Sequence, residues 1–498
     1  MDIEDWIRIA TEIELNYATF DAFVILHGTD TMSYTSSALS FLLEDLGKTV
    51  IVTGAQIPLS QLRNDAVDNL LGALTIAGHY IIPECCLFFN HTLYRGNRVS
   101  KFSSNDFNAF NSPNFPPLVN VGIDITVNWN EVIRQTGLRR FRAHKGMSPH
   151  VATLRLFPGI TAATVQAFLM LPTRGVILET FGAGNAPQRT DLVAALKDAC
   201  DRGIVIVAIS QCAKGSVSGA YETGRNLLSI GVVTGGDMTP ECALTKLGYL
   251  LGKEELSVSQ VRAQMSTPLR GDISLPSIQI PTTRTAQTDS IDDSLINIQG
   301  VLSQAVRLST TRAHDHMQKI IITQDNEESA VDATAPWSWT AADASLTEIS
   351  LLPFVMNLAA AKDDVEAIQF CVSSEVHAEQ DPQIHPKRNV VRGGVVNCID
   401  PASGRSPLHV AALNGSIRCI EVLLEAGALV HLRDSLGHTA LYYAARQGHE
   451  HAVDLLIKAG ANLGGSDIEG GFASLITKRA VLVGDDRAVK VWAKTGVQ

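Results

Sequence analysis

The stretch Phe23-Val-Ile-Leu-His-Gly-Thr-Asp-Thr-Met32 decides how the first half of the chain is read. Val24, Ile25 and Leu26 form a short apolar run after Phe23, the pattern of a buried strand. His27-Gly28-Thr29-Asp30-Thr31 breaks that run with small and polar residues. Met32, Ser36, Leu39, Leu43 and Leu46 then recur at helical spacing. Strand, polar turn and helix make half of a βα unit, and in open α/β sheets the ligand crevice lies beyond the carboxyl ends of the strands. Thr29 and Asp30 therefore stand where chemistry would be done. Taken alone, they equally suit a helix N-cap, because both side chains accept hydrogen bonds from free backbone N–H groups.

The pattern repeats outward from this stretch. Residues 1–20 predict a helix with Trp6, Ile7, Ile9 and Ala10 to one side. A second strand is expected at 49–53, ending in Gly54-Ala-Gln-Ile-Pro58, with its helix over 65–77. A third, at 86–89, opens a long polar loop over 92–101. A second block runs from about residue 150 to 270, with strands at 151–156, 175–178 and 204–209 and helices at 161–171 and 191–202. This alternation predicts an α/β fold, a doubly wound parallel sheet with a second, smaller α/β domain. The loop 179–187 is rich in glycine, yet no Lys-Ser or Lys-Thr follows at the place a phosphate loop needs. Cys85 and Cys86 read as core.

From 272 to 345 the periodicity dissolves into polar stretches, which predict a linker with one helix over 294–308. The tail is a repeat array. Gly404-Arg-Ser-Pro-Leu-His-Val-Ala-Ala412 returns as Gly437-His-Thr-Ala-Leu-Tyr-Tyr-Ala-Ala445, an offset of 437 − 404 = 33. A period of 33 with a turn and two helices is the ankyrin signature, so an all-α ankyrin repeat array is expected. In that pattern His409 stabilises its repeat. Residues 359–368 read as a helix of a weaker flanking unit, and Gly470 begins a last, divergent one. The expected domains are 1–135, 136–271, a linker over 272–345, and ankyrin repeats over 346–498.

The totals exclude several classes. A chain of 498 residues is too long for one ordinary core. A net charge of −11 argues against a nucleic-acid partner, which usually meets a basic face. The eight cysteines form no C-x-x-C pair, so neither zinc nor a disulfide framework is expected, and reduced cytosolic thiols are the plain reading. No run of about 20 apolar residues is present to span a membrane, and the acidic N-terminus is no signal peptide.

The motifs carry a resemblance. His27-Gly-Thr-Asp-Thr-Met32, Thr53-Gly-Ala-Gln-Ile-Pro58, Tyr94-Arg-Gly-Asn-Arg-Val-Ser-Lys101, Phe110-Asn-Ser-Pro113, Leu178-Glu-Thr-Phe-Gly-Ala-Gly-Asn-Ala-Pro187 and Gly235-Gly-Asp-Met-Thr-Pro240 are similar, in order, to those of bacterial-type L-asparaginases. The cytoplasmic type I branch matches best, over roughly residues 1–270. The long form with ankyrin repeats is similar to the animal 60 kDa lysophospholipase/asparaginase proteins. By this resemblance Thr29 supplies the activated or attacking hydroxyl and Lys101 relays its proton. Asp30 orients the pair and holds the substrate's α-amino group, while Gly28 and Gln56 line the substrate site. Asn185 is a possible further contact. A lysine acts as a base only when burial or neighbouring cations favour its neutral form, and Arg95 and Arg98 lie near in sequence.

The resemblance implies an amidohydrolase that converts L-asparagine to L-aspartate and ammonia by threonine-based acyl transfer. No metal or organic cofactor is implied. It also implies a cytoplasmic homo-oligomer, with Tyr221 and Glu222 able to reach a neighbour's site, and a protein partner bound through the ankyrin module. One departure stands out. Family members begin with a strand ending in Gly-Gly-Thr, whose threonine is the usual nucleophile, and none precedes Met1-Asp-Ile-Glu-Asp-Trp6. The expectation is that about one βαβ unit is absent, leaving the sheet without an inner strand and the site without its main nucleophile. The alternative is a catalytically inactive ankyrin-repeat interaction protein on a truncated asparaginase scaffold. A lipid-cleaving reading finds no Gly-x-Ser-x-Gly elbow, since Gly215-Ser-Val-Ser-Gly219 has the wrong spacing.

Overall fold

The computed structural model describes residues 1–187, 189–217, 222–274, 300–305, 307–308, 341–379 and 394–497. The chain divides into two compact bodies, Met1–Ile133 with Phe141–Ser277, and Arg134–Arg140 with Ile278–Gln498.

The first body opens with α1 (Ile3–Asn16), started by a capping box in which Asp2 and Asp5 each accept the other's backbone N–H. Trp6, Ala10 and Ile13 form its buried stripe, with Ile7 and Ile9 at the margin. Then come β1 (Ala22–Leu26), α2 (Met32–Leu42), β2 (Leu43–Glu44), β3 (Thr49–Thr53) and α3 (Ala66–His79). The chain continues through β4 (Cys85–Phe89), β5 (Thr92–Arg95), β6 (Ser100–Lys101), β7 (Phe110–Asn111), β8 (Val119–Val121), β9 (Ile125–Val127) and β10 (Arg142–Ala143). The first sheet has the order β1-β3-β4-β5-β8-β9. Its first three strands are parallel, with Val24 opposite Ile51 and Ile51 opposite Cys86. β5, β8 and β9 are antiparallel.

Three details depart from the sequence reading. β3 and β4 are buried throughout, but β1 is an edge strand and Leu26 is 67% exposed. Among the described residues only β3 pairs with β1, so its outer side lacks the neighbour that buries an inner parallel strand. The expected polar loop over 92–101 is instead a strand and a buried turn, because its two arginines find carboxylates inside the protein. Finally, α2 stops at Leu42 and is buried on nearly every side, its serines included. Those small hydroxyls are hydrogen-bonded, Ser36 to the Gly96 carbonyl at 2.8 Å and Ser37 to Thr245 at 2.7 Å, which lets neighbouring backbone pack close.

The second sheet, β11 (Val151–Arg155), β12 (Gly175–Thr180), β13 (Val205–Ser210) and β14 (Val233–Thr234), is parallel throughout and in sequential order. Its helices are α4 (Ala162–Phe168), α5 (Thr190–Asp201), α6 (Glu222–Ser229), α7 (Pro240–Leu251) and α8 (Val258–Met265). One apolar core takes in α1, α2, α7 and residues of both sheets, so the two halves of this body share an interior.

In the second body the helix pairs Pro407–Asn414 with Ile417–Glu425, and Ala440–Arg446 with Glu450–Lys458, stand 33 residues apart. Helices Ala341–Lys362 and Val365–Glu379 precede them, so residues 359–368 span a helix junction. Phe472–Val483 and Asp486–Lys494 follow. Residues 300–305 are helical, and Val301 and Leu308 join the core of this body; residues 294–299 of the expected linker helix lie outside the described residues. Among the described residues, no helix is long and apolar enough to cross a membrane.

Candidate active site

The site is built from three chain segments at the carboxyl end of the first sheet. β1 hands over to a tight turn at Thr29–Thr31, and α2 follows without a break. Gly28 has ordinary extended backbone, and a Cβ there would meet nothing, so one side of the turn is open. Gly54 is the reverse case. A Cβ on it would fall 2.0 Å from the His27 carbonyl oxygen, so only glycine lets β3 leave the sheet beside the turn. Behind the turn lies a chain of hydrogen bonds. The Trp6 indole donates to Thr35 Oγ1 at 2.9 Å, the Thr35 hydroxyl meets His27 Nε2 at 2.8 Å, and His27 Nδ1 reaches the Gly28 carbonyl at 2.6 Å.

The turn has no side-chain cap; Thr29 and Asp30 bond sideways instead. Lys101 Nζ donates to Thr29 Oγ1 at 2.9 Å and to Asp30 Oδ1 at 2.8 Å. The Thr29 hydroxyl donates to Gln56 Oε1 at 3.0 Å. Gln56 can offer only its oxygen there, because its Nε2 donates to the carbonyls of Asp106 and Ser103. The Gln56 backbone is held by Asp65, which accepts from the N–H groups of Gln56 and Ile57 at 3.0 Å each. Thr29, Asp30, Lys101 and Gln56, spread over 73 positions of sequence, thus share one hydrogen-bonded cluster, with Gly28 beside it.

Electrostatics divide the cations of the third segment. Lys101 is 19% exposed and its partner Asp30 95%; the hydrogen bond from Lys101, then its charge, holds the Asp30 carboxyl below its ordinary range. Arg95 and Arg98 do not lend Lys101 free positive charge, contrary to the expectation from sequence. Arg95 pairs with Glu84 at 2.6 Å and Arg98 with Asp237 at 2.6 Å, all four side chains at 9% exposure or less. Burial pushes the Asp237 carboxyl up, but hydrogen bonds from Arg98 and Ser274 outweigh it and leave it below its usual range. Beside the turn, burial first and then the charges of Glu241 and Glu179 push the Tyr34 hydroxyl up.

Sequence reasoning passed over the roles of Arg98, Asp237, Ser100 and Glu241. Asp237 stands in the motif Gly235-Gly-Asp-Met-Thr-Pro240, which carries the resemblance but assigns it no role. Asn185 lies in a turn closed by backbone bonds with Phe181, the arrangement of a turn former. Tyr221 and the side chain of Glu222 lie outside the described residues.

Residues 1–133 match the model for the asparaginase N-terminal domain, 150–265 that for the glutaminase/asparaginase C-terminal domain, and 355–467 that for ankyrin repeats in three copies. The chain is 36% identical over 427 residues to a 60 kDa lysophospholipase of Mus musculus, covering 86% of this chain and 65% of that one. It is 48% identical over 274 residues to L-asparaginase 1 of Escherichia coli strain K12, covering 55% of this chain and 80% of that one. Among solved structures, L-asparaginase I of Vibrio cholerae is similar, at a TM-score of 0.53 and 47% identity, covering 55% of this chain and 83% of that one. The chain spans less than two thirds of the length of the mammalian and nematode relatives it matches. On these matches the chain belongs to the asparaginase family, with ankyrin repeats following its two asparaginase domains.

Proposed function

We propose that the protein hydrolyses L-asparagine to L-aspartate and ammonia at Thr29, working as a cytoplasmic homo-oligomer whose ankyrin repeats bind a protein partner. The observation that carries the reading is the placement of Lys101 Nζ within 2.9 Å of the Thr29 hydroxyl oxygen. A neutral amine there accepts the hydroxyl proton as the oxygen attacks the side-chain amide carbon. The C–N bond breaks, and the departing ammonia takes that proton from Nζ. Water then cleaves the acyl–threonine ester and restores the hydroxyl. Asp30, exposed beside the turn, offers a counter-charge to the substrate's α-ammonium group. Gln56 holds the hydroxyl oxygen toward the open side at Gly28.

The Lys101–Asp30 ion pair favours a second reading, in which that pair is never broken and the body is an inert scaffold for the repeats. The test is ammonia release from L-asparagine by the purified chain, beside Thr29→Val and Lys101→Met. Turnover that falls by about 100-fold or more in both variants supports the proposal. Equal turnover in all three places the chemistry elsewhere, and no turnover in the unaltered chain leaves the scaffold reading.

A further inference from the structure

Two segments must meet for the site to exist. One carries Thr29 and Asp30 and continues into α2; the other is the turn after β5 and the short strand β6 that ends in Lys101. Among the described residues, one side chain from the second half of the body bonds to both. Glu241, in the first turn of α7, accepts from Ser100 Oγ at 2.7 Å through one carboxylate oxygen. Through the other it meets Ser33 Oγ, a longer contact at 3.4 Å. Ser100 immediately precedes Lys101, and Ser33 lies three residues beyond Asp30. Glu241 is 9% exposed and Ser33 1%.

The brace is itself anchored. Thr239 caps α7, accepting from Cys242 N at 3.2 Å, and a carboxylate in the first helical turn is favoured by the helix dipole. Two residues before Thr239, Asp237 takes Arg98 in a two-point grip, with bonds of 3.0 and 2.6 Å. Arg98 further donates to the Asp272 carbonyl at 2.5 Å and to Ser274 Oγ at 2.9 Å. The segment 98–101 is therefore pinned to residues 237–241 at two points, by Arg98–Asp237 and by Ser100–Glu241.

We propose that Glu241 is a positioning residue for the site: its two oxygens fix the spacing between Lys101 and Thr29. The inference rests on the hydrolase reading only for the meaning of that spacing. Hydrogen bonds to a charged group are stronger and shorter than neutral ones, which suits a carboxylate for this role. Glu241 touches none of the reacting groups and acts through Ser100 and Ser33.

The test reads Lys101 directly. The whole purified chain is exposed to a limiting amount of acetic anhydride, and acetylation of each lysine is followed by mass spectrometry. Lys246, fully buried and paired with Asp272, reports global opening. In Glu241→Ala we expect Lys101 to be acetylated at least fivefold faster, with Lys246 unchanged. Ser100→Ala, a smaller change that leaves the helix intact, should move Lys101 the same way by about threefold. Glu241→Gln should restore most of the protection, since its oxygen still accepts from Ser100 and its amide can donate to Ser33. Where asparagine is turned over, kcat should fall with KM within about twofold, the mark of misplacement rather than lost binding. Unchanged Lys101 labelling in both Glu241→Ala and Ser100→Ala overturns the proposal. Faster labelling in a chain that never turns over asparagine upholds the brace and refutes the hydrolase reading, so the two failures are distinguishable.

Discussion

Acid should loosen the repeat body first through His409. This imidazole is 1% exposed. Its Nδ1 faces Ser406 Oγ at 2.8 Å and Ser406 N at 3.2 Å, and its Nε2 faces the His438 carbonyl at 3.1 Å. The Ser406 N–H can only donate, so Nδ1 accepts and the proton sits on Nε2. The ring is fully satisfied while neutral, and a second proton on Nδ1 would break the cap of helix Pro407–Asn414. Burial accordingly pushes the imidazole down from 6.5 to about 4, only partly opposed by the His438 carbonyl. Between those values the unfolded chain binds the proton and the folded one does not, so stability is lost as pH falls from about 6.5 towards 4. The loss is about 2 kcal/mol at pH 5 relative to pH 8, and about 3 kcal/mol at pH 4. Asp434, whose carboxyl burial raises but the Tyr443 hydroxyl and backbone N–H groups hold below its usual range, adds to the loss only below about pH 4. The assay is urea unfolding at pH 8 and pH 5, read by pulsed hydrogen exchange on peptides from the repeat helices. With a slope near 2 kcal/mol per molar, the midpoint should drop by about 1 M. His409→Gln should lower the midpoint at pH 8 yet flatten the difference between the two pH values. An equally steep difference in that variant would refute the reasoning.

Three further outcomes follow from the first body. Gly54→Ala drives a Cβ into the His27 carbonyl and should cost about 1–3 kcal/mol, measured by thermal unfolding, and should also separate Thr29 from Gln56. Glu44 is 4% exposed; burial pushes its carboxyl up, but Lys253, Tyr249 and Arg142 outweigh that and hold it at about 2. Its contribution is complete above pH 4.5 and is lost as pH falls towards 2, so Glu44→Gln should erase that part of the acid unfolding curve of the first body. Asp30→Asn removes the counter-charge proposed for the substrate ammonium and should raise KM for asparagine about tenfold while kcat changes less, and an unchanged KM would count against the role proposed for Asp30.

The parts of the fold with a strict local period were legible. The 33-residue offset located both central helix pairs, and the alternation of apolar runs with helical spacing located β3, β4 and β11, β12 and β13 of the second sheet, but not the two-residue β14. The parts that depend on distant partners were not. Nothing local distinguishes an edge strand from an inner one, so β1 read as buried. The segment 92–101 read as a polar loop because its arginines look solvated until Glu84, 11 residues before Arg95, and Asp237, 139 residues beyond Arg98, are placed against them. At the site, the strand–turn–helix pattern pointed to Thr29 and Asp30, whereas Lys101 and Gln56 rest on motif resemblance, and spacing alone would have left Lys101 an ordinary surface lysine. Glu241 carried no signal, since a glutamate in a first helical turn is common for dipole reasons alone.

On the proposed mechanism, the three cations between Arg95 and Lys101 separate holding from reacting. Two are guanidinium groups in buried pairs, where removing either partner would strand an uncompensated charge, so those contacts are fixed for the life of the fold. Arginine suits that task, because its fork meets a carboxylate at two points and it keeps its charge in any surroundings. The third is a lysine whose carboxylate partner is open to solvent. An exposed pair is worth little, so an incoming ammonium group can take Asp30 from Lys101 at small cost. A loop that must place one amine beside a hydroxyl and then let it change partners needs rigid neighbours and one exchangeable bond. The order Arg95, Arg98, Lys101 supplies both, and a lysine at 95 or 98, or an arginine at 101, would not.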